Sequence, residues 1–366
     1  MTSRERVRTV FAHEEPDHVP CWCGASPGFL AKAQRQLGLE TAEQALVRFG
    51  DDFRRVWARY AGPPERSPDQ GLPSGAACRT VFGVVHKGCG CGMPINPPLA
   101  GASLAEIEAY AWPEPDWMDV STVRRQALAW RGEHAILGGD WSPFWHDANE
   151  VVGMERLMIL MREDPAVVDA VMSRAADYYL EVNRRIFDAA ADAIDVFFIG
   201  NDFGSQAGPL IGETAFRRFV LPHLRRLCGL GHDYGLKVMM HCCGGFAPLI
   251  PAMIEAGLDG LQALQPSARG MEPARLKADF GDKLVLCGGI DSQHALIEGN
   301  PATVRDITRR TLEILKPGGG YILSASHDFI LEETPVENVL AMFDAGKEFG
   351  VYARPTAPPE TSSAKP

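Results

Sequence analysis

From residue 134 onward, short apolar runs rich in β-branched residues alternate with longer stretches whose apolar positions recur every three or four residues. Such alternation is the signature of strand–helix units feeding a parallel sheet. It predicts strands at HAILGGD (134–140), AIDVFFIGND (193–202), KVMMHCCG (237–244), GLQALQ (260–265), KLVLCGGID (283–291) and GYILSASH (320–327). Helices are predicted between them, in MERLMILMRE, PAVVDAVMSRAADYYLEVNRRIFDAAA, ETAFRRFVLPHLRRLCGLGHDYG, FAPLIPAMIEAG, MEPARLKADFG and PATVRDITRRTLEIL, and after the last strand in VENVLAMFDAGKEFG. Adding HVPCWCG (18–24) and a strand within FRRVWARYAG (53–62) brings the strand count to eight, as a (β/α)8 TIM barrel requires. A doubly wound open sheet is the competing fold, but no G-x-G-x-x-G follows a first strand.

The rhythm breaks between residues 62 and 118, where Pro and Gly cluster and TVFGVVHKGCGCGMP reads as a hairpin or arm folding over one end of the barrel. We read residues 1–352 as one domain containing this arm as an insertion. The remaining ARPTAPPETSSAKP (353–366) has little to bury and reads as a disordered tail.

Composition narrows the function. With 46% hydrophobic residues the chain can bury a full core, and no apolar stretch approaches the ~18 residues a membrane span needs. The start MTSRERVRTVFAHEEPDHVP lacks the apolar centre of a signal peptide, so the expected location is cytoplasmic. Against 36 Lys and Arg stand 47 Asp and Glu, a net charge of -11 without a basic run, which argues against a nucleic-acid partner. A local exception is DDFRRVWARY, where Arg54, Arg55 and Arg59 form either an exposed charge cluster or a cleft for a carboxylated substrate. Nine cysteines without an export signal speak for reduced thiols, metal ligands or buried small hydrophobes over a disulfide framework.

In a barrel, the polar residues ending each strand surround one mouth. They are Asp140, Asn201, Asp202, His241 with Cys242 and Cys243, Gln262, Gln265, Asp291, and Ser326 with His327. Asp202, Asp291 and Asn201 are the catalytic candidates; Asp140, Gln262 and Gln265 are candidates for holding substrate. Helix capping is the competing role for each of the three aspartates.

Strand alternation sends His241 and Cys243 to one face and Cys242 to the other. A nitrogen and a sulfur side by side suit zinc, which binds such donors at roughly 2.0–2.3 Å, although a packed core His and Cys would read the same. The third ligand must come from elsewhere: His327 is the leading candidate, ahead of Asp291, Glu333 and Cys287. Cys89 and Cys91 lie on the arm as a second metal pair or as cysteines of no special role.

From RERVRTVFAHEEPDHVP to TPVENVLAMFDAGKEFG, the chain resembles the uroporphyrinogen decarboxylase superfamily, in particular its cobamide-dependent methyltransferase-like branch. The resemblance is carried by FGDDFRRV, PPLAGASLAEIEAYAWPEPD, IGNDFGSQAGPLI, FVLPHLRRL, GLKVMMHCCGG, IEAGLDGLQALQP, LVLCGGIDSQHAL and GGGYILSASHDF. It implies a (β/α)8 barrel. It also implies zinc held by an H-x-C pair, here His241 and Cys243, and a later cysteine, in whose place this chain has His327. The implied activity is methyl transfer between a small methyl ether or thiol and a corrinoid on a partner protein, with Asp202 or Asp291 supplying a proton to a leaving ether oxygen. The alternative is a metal-free decarboxylase of a carboxylated substrate, but VPCWCGASPGF lacks the arginines with which such enzymes grip a porphyrinogen. A non-catalytic binding barrel is a third reading, and a homodimer is left open.

Overall fold

The computed structural model describes residues 1–68, 78–87 and 93–352, so the tail and both Cys89 and Cys91 lie outside the described residues. Seven parallel strands form a curled sheet in simple sequence order: β1 (Phe53–Arg55), β2 (Ala135–Gly138), β3 (Val196–Gly200), β4 (Lys237–His241), β5 (Gly260–Leu264), β6 (Val285–Ile290) and β7 (Tyr321–Ala325). The strands read as continuous apolar runs because both faces are covered. Inward residues Phe53, Leu137, Val196, Phe198, Met239, Val285, Cys287 and Ile322 form one buried cluster. Their outward neighbours, among them Ile136, Phe197, Ile199, Val238, Met240 and Leu286, pack against the surrounding helices in another.

The helix Ser3–Phe11 closes the lower end, placing Val7, Val10 and Phe11 against the inner cluster. Acids preceding the strands reinforce that end. Asp195 accepts the Ile136 N–H at 3.0 Å, Asp259 that of Val238 at 2.8 Å, and Asp52 that of Cys21 at 2.7 Å. Arg4 and Arg8 pair with Asp195, while Arg6 joins Asp17 and Asp52. The lower rim is thus held by charge-assisted bonds from one helix.

Two expected strands are shorter than their apolar patterns. After Arg55 the chain leaves the sheet, and Arg59–Tyr60 pairs antiparallel with Met118–Asp119. The segment 18–24 is extended but makes only single bridges. Trp22 N–H donates to Leu323 O, Leu323 N–H to Pro20 O, and Asp52 N–H to Cys21 O, each at 2.9 Å. Pro20 has no N–H and the Cys21 N–H is taken by a carboxylate, so a regular ladder cannot form there.

The arm is a small antiparallel sheet of Cys78–Arg79, Val85–Lys87 and Met93–Pro94. It packs beside the strand–helix layer: Phe82 stacks edge-on against Trp112 and Tyr178, and His86 reaches Glu150 at 3.0 Å.

Candidate active site

The site is built where β3, β4 and β5 end in register, with Gly200, His241 and Gln262 as neighbours across the three strands. Alternation places the side chains as the sequence predicts. Cys242 is fully buried, its sulfur accepting the Phe203 N–H, while Cys243 Sγ lies 3.3 Å from His241 Nε2. Glycines permit the close approach of two loops. A Cβ on Gly204 would stand 2.7 Å from Cys243 O, and one on Gly244, whose φ is +82°, 2.4 Å from Gly204 C. The contact brings Asp202 beside Cys243, whose N–H donates to Asp202 Oδ1 at 2.7 Å.

The orientation of His241 is fixed from behind. Its Nδ1 meets Gln262 Oε1 at 2.6 Å, and since a carbonyl oxygen only accepts, Nδ1 carries the proton. Nε2 therefore faces Cys243 and, at 3.4 Å, Asp202 Oδ1. The potential ligand atoms of Asp202, His241 and Cys243 all lie within 4.8 Å of one another. Burial alone would push the His241 imidazole down, but its interactions with Cys243 and Asp202 hold it well above its ordinary value. Burial would push the Asp202 carboxyl up, yet His241 and His146 hold it well below the usual carboxylate range.

Two residues outside the sequence prediction complete the surroundings. His146, on the helix Phe144–Val152 that follows β2, accepts the Asp202 N–H at Nε2 (3.0 Å). Trp141 lies over Gly200, where a Cβ would come within 2.0 Å of its ring, and packs against His241 with centroids 5.3 Å apart.

The other predicted residues separate. Asn201 is buried, accepting the Trp145 N–H and donating to Ser142 O, so it seats the helix that carries His146. Asp140 accepts the Ser142 N–H in the turn after β2, and burial pushes its carboxyl up. Gln262 orients His241, and its Nε2 is buried without a partner among the described residues. Gln265 ties loops together, accepting from Gly244 N–H and Gln206 Nε2. Asp291 caps the helical turn Ser292–Ile297 through the Gln293 and His294 N–H groups. His327 is outside the tight group: its ring lies edge-on to His241 at 6.2 Å, and its Nδ1 accepts the Phe329 N–H. Asp202, and not the expected His327, joins His241 and Cys243 in the tight group. Glu333 is exposed, and Cys287 is packed in the inner cluster.

The sequence signature of the Uroporphyrinogen decarboxylase (URO-D) family matches residues 103–349, well over half of the chain. The chain belongs to this family. Among curated relatives it is 24% identical over 263 residues to a methylated-thiol–coenzyme M methyltransferase of Methanosarcina mazei, a match spanning 70% of this chain and 66% of that protein, just under two thirds. It is 30% identical over 186 residues to a uroporphyrinogen decarboxylase of Saccharopolyspora erythraea, covering 50% of this chain and 49% of the relative. A solved structure of a methyltransferase from Methanosarcina mazei superposes with a TM-score of 0.66 at 18% identity, covering 95% of this chain and 99% of the other. That likeness supports the fold, a URO-D-like α/β architecture. Among the described residues no helix is long and apolar enough to cross a membrane.

Proposed function

We propose that this URO-D family protein is a zinc-dependent methyltransferase-like enzyme that moves a methyl group between a small methylated ether or thiol and a corrinoid held by a partner protein. The observation that carries the reading is the convergence of Asp202, His241 and Cys243, with Gln262 fixing the histidine tautomer that leaves Nε2 facing the other two donors. An N, S, O donor set fits zinc, and three protein ligands leave a fourth position for substrate. His327, the third ligand that the branch resemblance suggests, has its ring centroid 6.2 Å from that of His241. Bound there, zinc would keep a substrate sulfur as thiolate or polarise an ether oxygen. The protein's own groups do the rest: Gln262 holds the Nδ1 proton, His146 and the Cys243 N–H hold Asp202, and Trp141 shields one side of His241 from water. The corrinoid partner rests on the branch resemblance. We further propose that the Pro20–Trp22 segment is the eighth stave of a closed barrel, because it bonds to β7 on one side and to the residue preceding β1 on the other.

The test is a transfer assay with free cob(I)alamin and a methyl thioether or methoxyarene, following the Co(I) spectrum. For an ether, the carbon–oxygen bond breaks, the methyl passes to cobalt and the oxygen takes a proton. Zinc-loaded protein should consume Co(I) and chelator-treated protein should not. The decarboxylase alternative is favoured by the names of several relatives. Release of CO2 from uroporphyrinogen by zinc-free protein, with no methyl transfer, would establish it in place of our reading.

A further inference from the structure

Of the three arginines in DDFRRVWARY, Arg54 turns outward and pairs with Glu43 and Asp51, and Arg59 is exposed. Arg55, at the end of β1, turns inward among aromatic rings. Its guanidinium carbon lies 3.7 Å from the ring centroid of Trp57 and 4.8 Å from those of Trp141 and Phe198. Among the described residues, the buried Nη2 has no hydrogen-bond partner and no acid forms an ion pair with it. Asp140 and Asp328 stabilise the cation only from beyond ion-pair distance, and the Asp140 carboxylate already serves Ser142. A guanidinium so enclosed is costly unless something answers its donors. Cation–π contacts occupy its faces but leave the edge donors unused.

Arg55 also lines a cavity of about 210 Å³, together with Trp22, Asp51, Trp57, Asp328 and Phe329 among others. Trp141 is the partition between this cation and the metal-type cluster, touching Arg55 on one side and His241 on the other. Arg55 and His241 thus lie one indole apart.

We propose that Arg55 anchors the carboxylate of a small substrate with a planar body, whose other end lies at the Asp202–His241–Cys243 cluster. Guanidinium nitrogens match the two oxygens of a carboxylate, and the surrounding rings match a flat apolar body. In placing the reacting end at the cluster, the inference rests on the methyl-transfer reading; the carboxylate site itself does not need the metal.

The test is ligand-observed NMR titration of benzoate, with benzamide as the uncharged isostere, on full-length protein in chelator. Benzoate should bind at least tenfold more tightly than benzamide. Arg55→Gln should remove that preference, and Arg55→Lys, which keeps the charge without the planar fork, should retain part of it. Thermal melting verifies folding, and if Arg55→Gln does not fold, Arg55→Lys carries the comparison. Equal binding of benzoate and benzamide, or a preference unchanged in the arginine variants, overturns the proposal. The two readings fail separately: protein that takes up zinc but shows no Arg55-dependent preference sinks this one alone, whereas benzoate selectivity in protein that binds no zinc sinks only the metal-dependent reading.

Discussion

His241 is held by three different kinds of neighbour, and each makes a different prediction. Gln262 accepts from Nδ1, Cys243 and Asp202 face Nε2, and Trp141 covers the ring. Replacing Gln262 with Leu leaves Nδ1–H unanswered in a buried place and frees the tautomer. Zinc affinity should fall about 10–100-fold, the usual effect of losing a partner behind a ligand, as measured by competition with a chromophoric chelator; unchanged affinity would show that Gln262 only packs. Cys243→Ser should lower zinc affinity more than Cys242→Ser, because Cys242 points away from the group, its sulfur accepting the Phe203 N–H and donating to Cys243 O. Part of this arrangement was legible in the sequence: alternation assigns His241 and Cys243 to one face, and a strand-end position marks Asp202. Gln262 was legible as a polar strand end but not as the orienting group, since its pairing with His241 depends on register between β4 and β5. His146 was hidden because it sits on a helix, among ordinary amphipathic positions. His327 lies outside the tight group, in the turn after β7, where its Nδ1 accepts the Phe329 N–H.

At the scale of elements, the site depends on two loops lying backbone to backbone. Gly244→Ala would put a Cβ 2.4 Å from Gly204 C at a positive φ of 82°. Overpacking of this kind costs about 1–3 kcal/mol, so the variant should melt at lower temperature and lose zinc affinity together, as Asp202 and Cys243 move apart. Lowered melting with zinc affinity intact would separate the loop contact from the site. The strands β2 to β7 could be read directly, because runs buried on both faces are apolar throughout. The ends could not: extension at 18–24 and after Arg55 is decided by hydrogen-bond partners, such as Asp52 for the Cys21 N–H, that no apolar pattern records. The same blindness applied to Arg55, whose inward direction follows from the short β1 and separates it from Arg54.

For the whole molecule, the lower rim supplies a pH-dependent contribution to stability. Burial would push the Asp17 carboxyl up, but its bonds to Arg6 and the chain's amino group hold it well below the usual range. The folded form therefore favours the ionised acid. This contribution is complete above the unfolded value near 3.9 and is lost as pH falls through the lower folded value. Asp17→Asn should destabilise the protein at pH 7, and the gap from wild type should narrow below about pH 4, as read by urea unfolding; a gap independent of pH would assign the effect to packing. The strand–helix alternation made the overall architecture legible, and the family match agrees with it. The position of the arm was less legible, because Phe82 finds its partners on a helix almost a hundred residues later.

The central claim is that Asp202, His241 and Cys243 together bind zinc. Elemental analysis of protein purified without chelator should find close to one zinc per chain, retained in His327→Ala or bound more weakly there, and absent from Asp202→Ala, His241→Ala and Cys243→Ser proteins that still fold. Folded wild-type protein that transfers methyl groups without zinc, or zinc that survives in the His241→Ala and Cys243→Ser variants, would contradict the account.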